Sequence, residues 1–266
     1  MKFAYVNLER KEATKGDRGV CIGCDSVVIP KCGQQRQHHW AHKSKKPCDY
    51  EREPETPWHR DWKNHFPEEW QEILQRSESG EKRRADVKTK DGIVLEFQHS
   101  PIDPEIRDAR NSVHKSVVWV VNGTRLPREV EQFNRAVTDV TASTKHPRLK
   151  RILDTSKSGL LKKWSGCRSL VVYDFQTTDE QERPVLWVQF LPTDFGTYLV
   201  QLEKANFVYA LLNGRWNLLV LGLLLHIQQA VQPPAHKRRA MQKEAIYQAA
   251  LRNTRRGRQY TNGRRP

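Results

Sequence analysis

Two apolar runs that each contain one acid decide the fold of this chain: Arg83-Arg84-Ala85-Asp86-Val87 and Ile93-Val94-Leu95-Glu96-Phe97-Gln98. Lys90-Asp91-Gly92 between them is typical of a hairpin turn, so we expect the runs to pair as antiparallel strands. Desolvating an unpaired carboxylate inside such strands is costly. A divalent cation shared by Asp86 and Glu96 would offset that cost, because Mg²⁺ and Mn²⁺ prefer oxygen ligands. The pattern therefore predicts the metal centre of a phosphodiesterase.

The catalytic set predicted around this hairpin is Asp86, Glu96, Gln98 and Glu55. If both strand acids point to one face, a shared Mg²⁺ or Mn²⁺ would stabilise charge on a phosphate and lower the pKa of a bound water. Gln98 lies on the same strand face as Glu96 and can orient that water, but an amide cannot act as a base. Glu55 precedes the first predicted helix and can reach the cation directly or through water. For each side chain the alternative is a solvated position without a metal, which the apolar neighbours of Glu96 disfavour.

The chain is strongly basic, and this charge predicts a polyanionic partner, here DNA. Its net charge is +15 and its sequence pI about 9.7. Residues 236–266 hold ten Lys or Arg and one Glu; neutralising phosphates with such side chains releases counterions. A solubilising tail is the alternative, as is a plain solvated side chain for each single base. The predicted DNA contacts are His59, Lys63, Arg107 and Arg110 in the core and Lys237, Arg238, Arg239, Arg255 and Arg256 in the tail.

The cysteines are arranged as for a metal site rather than a disulfide framework. Four of the five lie in the first fifty residues, a clustering typical of metal binding in a reducing compartment. Cys21-x2-Cys24 and His39-x2-His42 together supply the donors of a tetrahedral, structural Zn²⁺ site. His38, Cys32 or Cys48 can each replace a member of this set. Free thiols and exposed histidines are the remaining alternative.

The sequence also bears on cellular location. The N-terminal residues turn charged at once and lack the apolar region of a signal peptide. The longest apolar stretch, residues 207–231, is interrupted by Arg215 and His226, and its unbroken apolar run from Leu218 to Leu225 is too short to cross a membrane. We therefore expect a buried helix and a cytoplasmic protein.

Hydrophobic periodicity predicts the order helix, two or three strands, helix, strand between residues 55 and 123. Asp103 as N-cap and Pro104 as first helical residue predict where the second helix begins. The predicted elements are a helix over 58–75 that Pro67 kinks or restarts, a weak strand before the hairpin, a helix over 104–114, a strand over 116–121, a helix over 127–137, a second hairpin of 169–175 and 184–191, and an apolar helix over 207–231. The predicted regions are a zinc-binding module at 1–50, a core at 55–125, an α+β C-terminal region at 126–235 and a basic tail at 236–266.

Taken in order, several motifs resemble the competence protein CoiA-like nucleases over residues 20–123. They are Cys21-x2-Cys24, Val28-Ile29-Pro30-Lys31, His39-Trp40-Ala41-His42, Glu55-x3-His59-x3-Lys63, Arg84-Ala85-Asp86-Val87, Glu96-Phe97-Gln98-His99-Ser100 and Val118-Trp119-Val120. The resemblance implies a zinc-ribbon-like element followed by an α/β core of the PD-(D/E)XK, restriction-endonuclease-like type, with element order αβββαβ. It also implies that Asp86 and Glu96 bind Mg²⁺, that Glu55 is the upstream helix acid, and that Gln98 replaces the usual Lys.

The chain departs from that family pattern at two positions. Pro57 lies inside the segment from Glu55 to His59, and His114 stands where a Tyr is expected. The residues beyond Pro127 match no family pattern. These departures put the position of Glu55 and a contact after the second helix in doubt.

The function expected from the sequence is Mg²⁺-dependent hydrolysis of DNA phosphodiester bonds by nicking or cutting. The family resemblance associates this chemistry with natural transformation, and similar cores occur in mobile-element and anti-phage nucleases. A DNA-binding recombination accessory protein with a degenerate core is the alternative from another class. An RNA substrate also stays open, because metal-phosphate chemistry alone does not read the 2′-hydroxyl.

Overall fold

The computed structural model describes residues 1–34, 37–43, 55–77, 80, 82–142, 144, 146–190 and 196–231. The chain divides into two compact units, residues 1–221 and residues 222–266. Of the second unit, the described part is the end of one helix. Both β-sheets of the described residues lie in the first unit.

The N-terminal module of the described residues is an antiparallel sheet of five short strands in the order β2-β1-β3-β4-β5. Its core is small, formed by Ala4, Ala13, Cys21, Val28 and Trp40. Trp40 is buried and its indole N–H donates to Lys11 O at 3.0 Å. The strands are β1 (Phe3–Val6), β2 (Glu9–Glu12), β3 (Gly19–Val20), β4 (Val27–Lys31) and β5 (His39–His42).

A larger sheet of eight strands follows in the described residues, in the order β10-β13-β12-β11-β9-β8-β7-β6. The central pairs β8–β9 and β9–β11 are parallel and the other pairs are antiparallel. The second hairpin therefore extends the same sheet as the first. The strands are β6 (Gln71–Arg76), β7 (Lys82–Lys88), β8 (Val94–Gln98), β9 (Val117–Asn122), β10 (Leu149–Ile152), β11 (Leu170–Thr178), β12 (Pro184–Gln189) and β13 (Thr197–Glu203).

Helices cover both faces of this sheet. Strand residues alternate between the faces, so each face has its own set of side chains against which helices pack. On one face, Trp119 donates its indole N–H to Asn111 of the second helix at 2.9 Å and packs against Trp164. On the other face, Phe97 stacks on Trp62 of the first helix. The helices are α1 (Pro57–Asn64), α2 (Pro104–His114), α3 (Pro127–Thr138), α4 (Gly159–Trp164), α5 (Lys204–Leu212) and α6 (Trp216–Val231).

The local signals of the sequence are confirmed at several elements. β7 and β8 pair as an antiparallel hairpin across Lys90-Asp91-Gly92, where Gly92 has φ +81°. α2 begins at Pro104, and the Asp103 side chain accepts the backbone N–H of Glu105 at 2.8 Å. The element order α1-β6-β7-β8-α2-β9 is the order expected from the sequence. The second hairpin, β11–β12, is also present.

Two helix predictions are wrong in extent. The helix expected over 58–75 ends at Asn64, a 3₁₀ turn covers Glu68–Trp70, and residues 71–76 form strand β6. Pro67 cannot continue the helix, and pairing with β7 satisfies the backbone of β6 instead. The apolar helix expected over 207–231 is two helices, because Gly214 with φ +64° breaks the chain between α5 and α6. The expectation that it is buried is also wrong for α6, where Leu218, Leu221, Leu224 and Leu225 are exposed.

None of the described helices has the length and apolarity required to cross a membrane.

Candidate metal centre and acid cluster

The N-terminal module brings three potential metal ligands together: Cys21, Cys24 and His42, whose donor atoms all lie within 4.8 Å of one another. The closest pair is Cys24 Sγ and His42 Nε2, at 3.3 Å. Cys21 follows β3, Cys24 lies in the turn before β4, and His42 ends β5. Two thiolates and an imidazole are the donors that Zn²⁺ prefers, so this group could hold a zinc ion.

The turn around the thiols is built to present them. Asp25 adopts φ +59° and donates its backbone N–H to Cys21 O at 3.0 Å, which closes the turn. The backbone N–H of Gly23 points at Cys21 Sγ from 3.4 Å, as outer partners of a metal thiolate do. Partial burial lowers the pKa of His42, and a neutral imidazole is the form that binds a metal.

Two other candidate ligands lie elsewhere. His39, at the start of β5, is outside the group of three, and its Nδ1 lies 2.8 Å from Gln37 O. The Cys32 thiol donates to Ala13 O at 3.4 Å. Cys48 lies outside the described residues. The described residues therefore provide three of the four positions of a tetrahedral site.

Replacing Cys24 by Ser is expected to remove zinc and to lower the melting temperature. Structural zinc contributes directly to folding, and a loss of several kcal/mol corresponds to a shift on the order of 10 °C in a chain of this size. Elemental analysis of the purified protein and a circular-dichroism melt measure both effects. Cys32→Ser is the matched control, since Cys32 is outside the group. Equal zinc content in the two variants would contradict the assignment.

In the larger sheet, Asp86 is buried on β7 beside strand β8. The register pairs Val87 with Leu95, the residues adjacent to Asp86 and Glu96 in the sequence. The Asp86 Oδ2 atom accepts the backbone N–H of Phe97 at 3.0 Å. The structure therefore places the first predicted acid directly against the strand that carries the second.

Lys63 of α1 lies at the centre of a group of acids. Its ammonium is 3.3 Å from Glu55 Oε1, 3.0 Å from Glu72 Oε1 and 3.2 Å from Asp86 Oδ1. The Lys63 side chain is only 1% exposed, so these contacts form in a medium of low dielectric constant where they are strong. We call Glu55, Glu72 and Asp86 the acid cluster.

Glu55 reaches this cluster despite Pro57. Thr56 is the N-cap of α1 and Pro57 its first residue, a position in which proline is favourable. Glu55 therefore lies just before the helix, where Oε1 also contacts Arg60 Nε at 3.2 Å. Burial raises the pKa of Glu55 but the charge of Lys63 lowers it, and the net shift is downward. The carboxylate is accordingly ionised.

Glu72 is the member of the acid cluster that the sequence did not reveal. It lies on β6, is 1% exposed, and also faces Arg84 Nη1 at 3.9 Å. Within the helix expected over 58–75 it was an ordinary surface acid. The available signal was its position directly before Ile73-Leu74 and after Pro67 and Trp70, which fits a strand in this context better than a helix.

Glu96 is held by two residues of α2. Its Oε2 accepts from Arg110 Nη1 at 2.7 Å, and its Oε1 lies 3.4 Å from His114 Nε2. Burial first, and then the charge of Arg110, lowers the pKa of His114 to about 4, whereas Asp86 acts in the opposite sense. His114 is therefore neutral at neutral pH, and its Nδ1 is 2.9 Å from the Gln75 amide.

The two strand acids contact bases from different helices, and their convergence on one metal ion stays a prediction. Asp86 turns to Lys63 of α1, and Glu96 turns to Arg110 of α2. Trp119, which pairs with Glu96, is on the α2 face, and Phe97 is on the α1 face. The direction of each carboxylate therefore depends on the base of the helix that lies beside it.

The donor set fits Mg²⁺ in kind, since it consists of carboxylate oxygens. In the described part of the chain, however, no three of these acids bring oxygens within 4.8 Å of one another. The Lys63 ammonium lies between the members of the acid cluster. A magnesium ion bound at Asp86 would therefore compete with the Lys63 ammonium for that carboxylate.

The remaining predicted core residues are all buried and bonded to protein groups. Gln98 donates its amide to Ser100 O at 2.8 Å. His59 closes the cap of α1 with Thr56, and its Nε2 lies 3.1 Å from Phe97 O. Arg107 contacts Asp108 and donates to Lys163 O at 3.3 Å. Like Lys63 and Arg110, these bases are buried and contact protein groups, and their contact with DNA stays a prediction.

The predicted DNA contacts of the tail, Lys237, Arg238, Arg239, Arg255 and Arg256, lie outside the described residues.

Comparison with known families gives one match for this chain. Residues 6–51 match the family model described as competence protein CoiA, N-terminal domain. The match contains the Cys21, Cys24 and His42 group and supports the CoiA family for this part, which is 46 of 266 residues. Comparisons with curated proteins and with solved structures find no match.

Proposed function

We propose that this protein is a metal-dependent DNA endonuclease with a competence-related role. The observation that supports the proposal most is the burial of Asp86, Glu96, Glu55 and Glu72 in and beside the hairpin. A buried ionic cluster is weak evidence for stability, because apolar residues of similar volume often stabilise as well or better. Ionisable groups kept at this cost are candidates for chemistry. The match to a competence family supports a competence-related role, and the net charge of +15 favours a polyanionic partner such as DNA.

In the proposed reaction the residues of the chain bind and orient. Asp86 and Glu96 would hold Mg²⁺ or Mn²⁺, and Glu55 would hold it through water. When bound, the ion stabilises charge on the phosphate and lowers the pKa of water. Lys63, released from Asp86, would remain near the acids as a cation able to contact a phosphate oxygen. Gln98 would donate a hydrogen bond to the attacking water, if its amide left Ser100 O.

A second candidate, a DNA-binding accessory protein without cleavage, is favoured by one specific observation. Lys63 and Arg110 already neutralise the carboxylates of Asp86 and Glu96. If neither base withdraws, no negative charge is left to bind a divalent cation. The two candidates therefore differ in whether added metal changes the protein's effect on DNA.

Incubation of supercoiled plasmid with the purified protein separates the candidates. With Mg²⁺ or Mn²⁺ we expect conversion to nicked or linear DNA, and with EDTA we expect none. A gel-shift titration on the same DNA measures binding independently. Binding that is unchanged by metal and accompanied by no cleavage in either ion would reject the nuclease and leave the accessory function.

Deletion of residues 236–266 is expected to weaken DNA binding and its dependence on salt. The segment holds ten Lys or Arg, and each lost phosphate contact reduces the slope of log K against log salt by about 0.9. Fluorescence anisotropy between 50 and 200 mM salt, about the range over which such slopes are defined, measures the change. A full-length variant with these bases replaced by Gln controls for length. An unchanged slope in both variants would contradict DNA binding by the tail.

A further inference from the structure

The first strand of the N-terminal module begins at the acid cluster. Glu72 Oε1 accepts the backbone N–H of Lys2 at 2.9 Å, and Glu72 Oε2 accepts that of Phe3 at 3.2 Å. The same Oε1 atom lies 3.0 Å from Lys63 Nζ. One carboxylate therefore binds the backbone of β1 on one side and the central ammonium of the acid cluster on the other.

Glu72 is held there at a cost in backbone energy. Its φ is +50°, a left-handed value that residues other than glycine adopt at some expense. Such conformations persist where the surrounding structure requires them, often at functional sites. The flanking pairs Gln71–Val87 and Ile73–Ala85 keep β6 in register with β7, so the unusual conformation is confined to the residue across from Asp86.

A second connection runs through Arg60 of α1. Its guanidinium contacts Glu55 at 3.2 Å within the acid cluster and Glu12 of β2 at 3.0 Å in the N-terminal module. It also donates to His38 O at 3.0 Å, directly before β5. The Arg60 side chain is 5% exposed, so this link is buried on the side of the acid cluster.

The candidate zinc group lies on the strands that hold these links. Trp40, two residues before His42, donates its backbone N–H to Met1 O at 2.8 Å and so joins β5 to the beginning of β1. Cys21 follows β3, which pairs with β1 at Tyr5. A metal bound by Cys21, Cys24 and His42 would fix β3 and β5 on both sides of β1. The N–H groups that Glu72 binds would be fixed with them.

We propose that Glu72 is a positioning residue through which the Cys/His module sets the geometry of the acid cluster. The Cys/His module then affects cleavage through Glu72 and Arg60 rather than by binding DNA. With the module folded around its metal, Glu72 keeps Lys63 within the acid cluster, where the ammonium can contact a phosphate oxygen once a divalent cation has taken its place at Asp86. Without the folded module, the partners of Glu72 on β1 are lost and Lys63 leaves this position. The effect on cleavage rests on the proposed nuclease function, whereas the coupling between the two sites does not.

Glu72→Gln tests the proposal, with Glu69→Gln as the matched control on the exposed 3₁₀ turn. Glutamine is uncharged and has only one accepting oxygen, so it cannot bind both backbone N–H groups and the Lys63 ammonium as the carboxylate does. We expect kcat for plasmid cleavage to fall on the order of tenfold, as for a typical coupling between sites, while KM for DNA stays unchanged. An increase in KM with kcat unchanged would overturn the proposal, because it would show a role in holding DNA. So would a Glu72→Gln variant that cleaves like the control.

Two measurements keep the coupling falsifiable if the protein does not cleave or Glu72→Gln does not fold. The first is the affinity for zinc, measured by equilibrium competition with a colorimetric chelator, which we expect to fall in a folded Glu72→Gln but not in Glu69→Gln. The second uses the parent protein alone, by hydrogen exchange before and after zinc removal. We expect faster exchange in residues 57–64 and 71–76 and no change in residues 184–189 of β12. Unchanged exchange in 57–64 and 71–76 would overturn the coupling, and absence of cleavage by the parent in any metal would reject only the nuclease.

Discussion

Replacing Asp86 by Asn is expected to abolish plasmid cleavage while DNA binding is retained. The substitution preserves the size of the side chain and an oxygen that can accept the N–H of Phe97. It removes the negative charge that is required to bind a divalent cation, whether the ion is free or already bound to a phosphate. Metal-ion stabilisation amounts to several kcal/mol, so the loss in rate is on the order of a thousandfold. Initial rates of nicking, measured with the parent and the variant at equal DNA occupancy, test this prediction.

The control for this result is Asp61→Asn, on the exposed side of α1. It changes the net charge by the same amount without touching the acid cluster. We expect it to cleave at the rate of the parent. Equal cleavage by Asp86→Asn and the parent would defeat the assignment of Asp86, and with it the proposed metal centre. Loss of DNA binding in Asp86→Asn but not in Asp61→Asn would instead place DNA at this part of the protein.

Replacing Lys63 by Met is expected to lower the free energy of unfolding by about 3–5 kcal/mol. Met keeps the length of the side chain but removes the ammonium that Glu55, Glu72 and Asp86 share. Three buried carboxylates would then have lost their common counter-ion, and some would have to bind protons or water. Urea unfolding followed by tryptophan fluorescence measures the loss.

The matched control is Lys82→Met on the exposed end of β7. An isolated surface lysine contributes little to stability, so its unfolding free energy should stay close to that of the parent. If both variants unfold at the same urea concentration, Lys63 is not the counter-ion of the cluster. Addition of Mg²⁺ extends the test, because an ion that takes the place of the ammonium should stabilise Lys63→Met more than the parent. No such difference would favour the accessory function over the nuclease.

These two results separate the roles of charge in the cluster. Asp86→Asn removes an anion that the proposed chemistry needs, and Lys63→Met removes the cation that the fold needs in its present arrangement. If Asp86→Asn stops cleavage and added metal restores the stability of Lys63→Met, the protein exchanges lysine for metal during its reaction. If Asp86→Asn has no effect on cleavage and added metal does not restore the stability of Lys63→Met, the protein uses the acid cluster to hold its modules together.

Several features of this fold could be read from short segments of sequence. The Lys90-Asp91-Gly92 turn, the Asp103-Pro104 helix start and the thiol turn from Cys21 to Cys24 each depend on residues a few positions apart. Glycine conformation, helix capping and metal spacing are local properties of the chain. For the same reason Asp86 and Glu96 stood out as acids within apolar strands.

Other features depended on contacts that sequence periodicity cannot contain. Residues 71–76 have a pattern compatible with a helix, and pairing with β7 makes them a strand. The importance of Glu72 followed only from that change, since its partners Lys2 and Phe3 are about seventy residues away in the chain. His59, Lys63 and Arg110 resembled phosphate contacts in the sequence but are buried against Phe97, the acid cluster and Glu96.

The sequence by itself determined where carboxylates, thiols and turns stand along the chain, because these follow from residue type and short spacing. The tertiary structure alone decided which cation each carboxylate binds. That choice is made by the strong, distance-dependent attraction between buried charges. It depends on which helix the fold brings beside each carboxylate, and so on the packing of the whole unit rather than on any one segment.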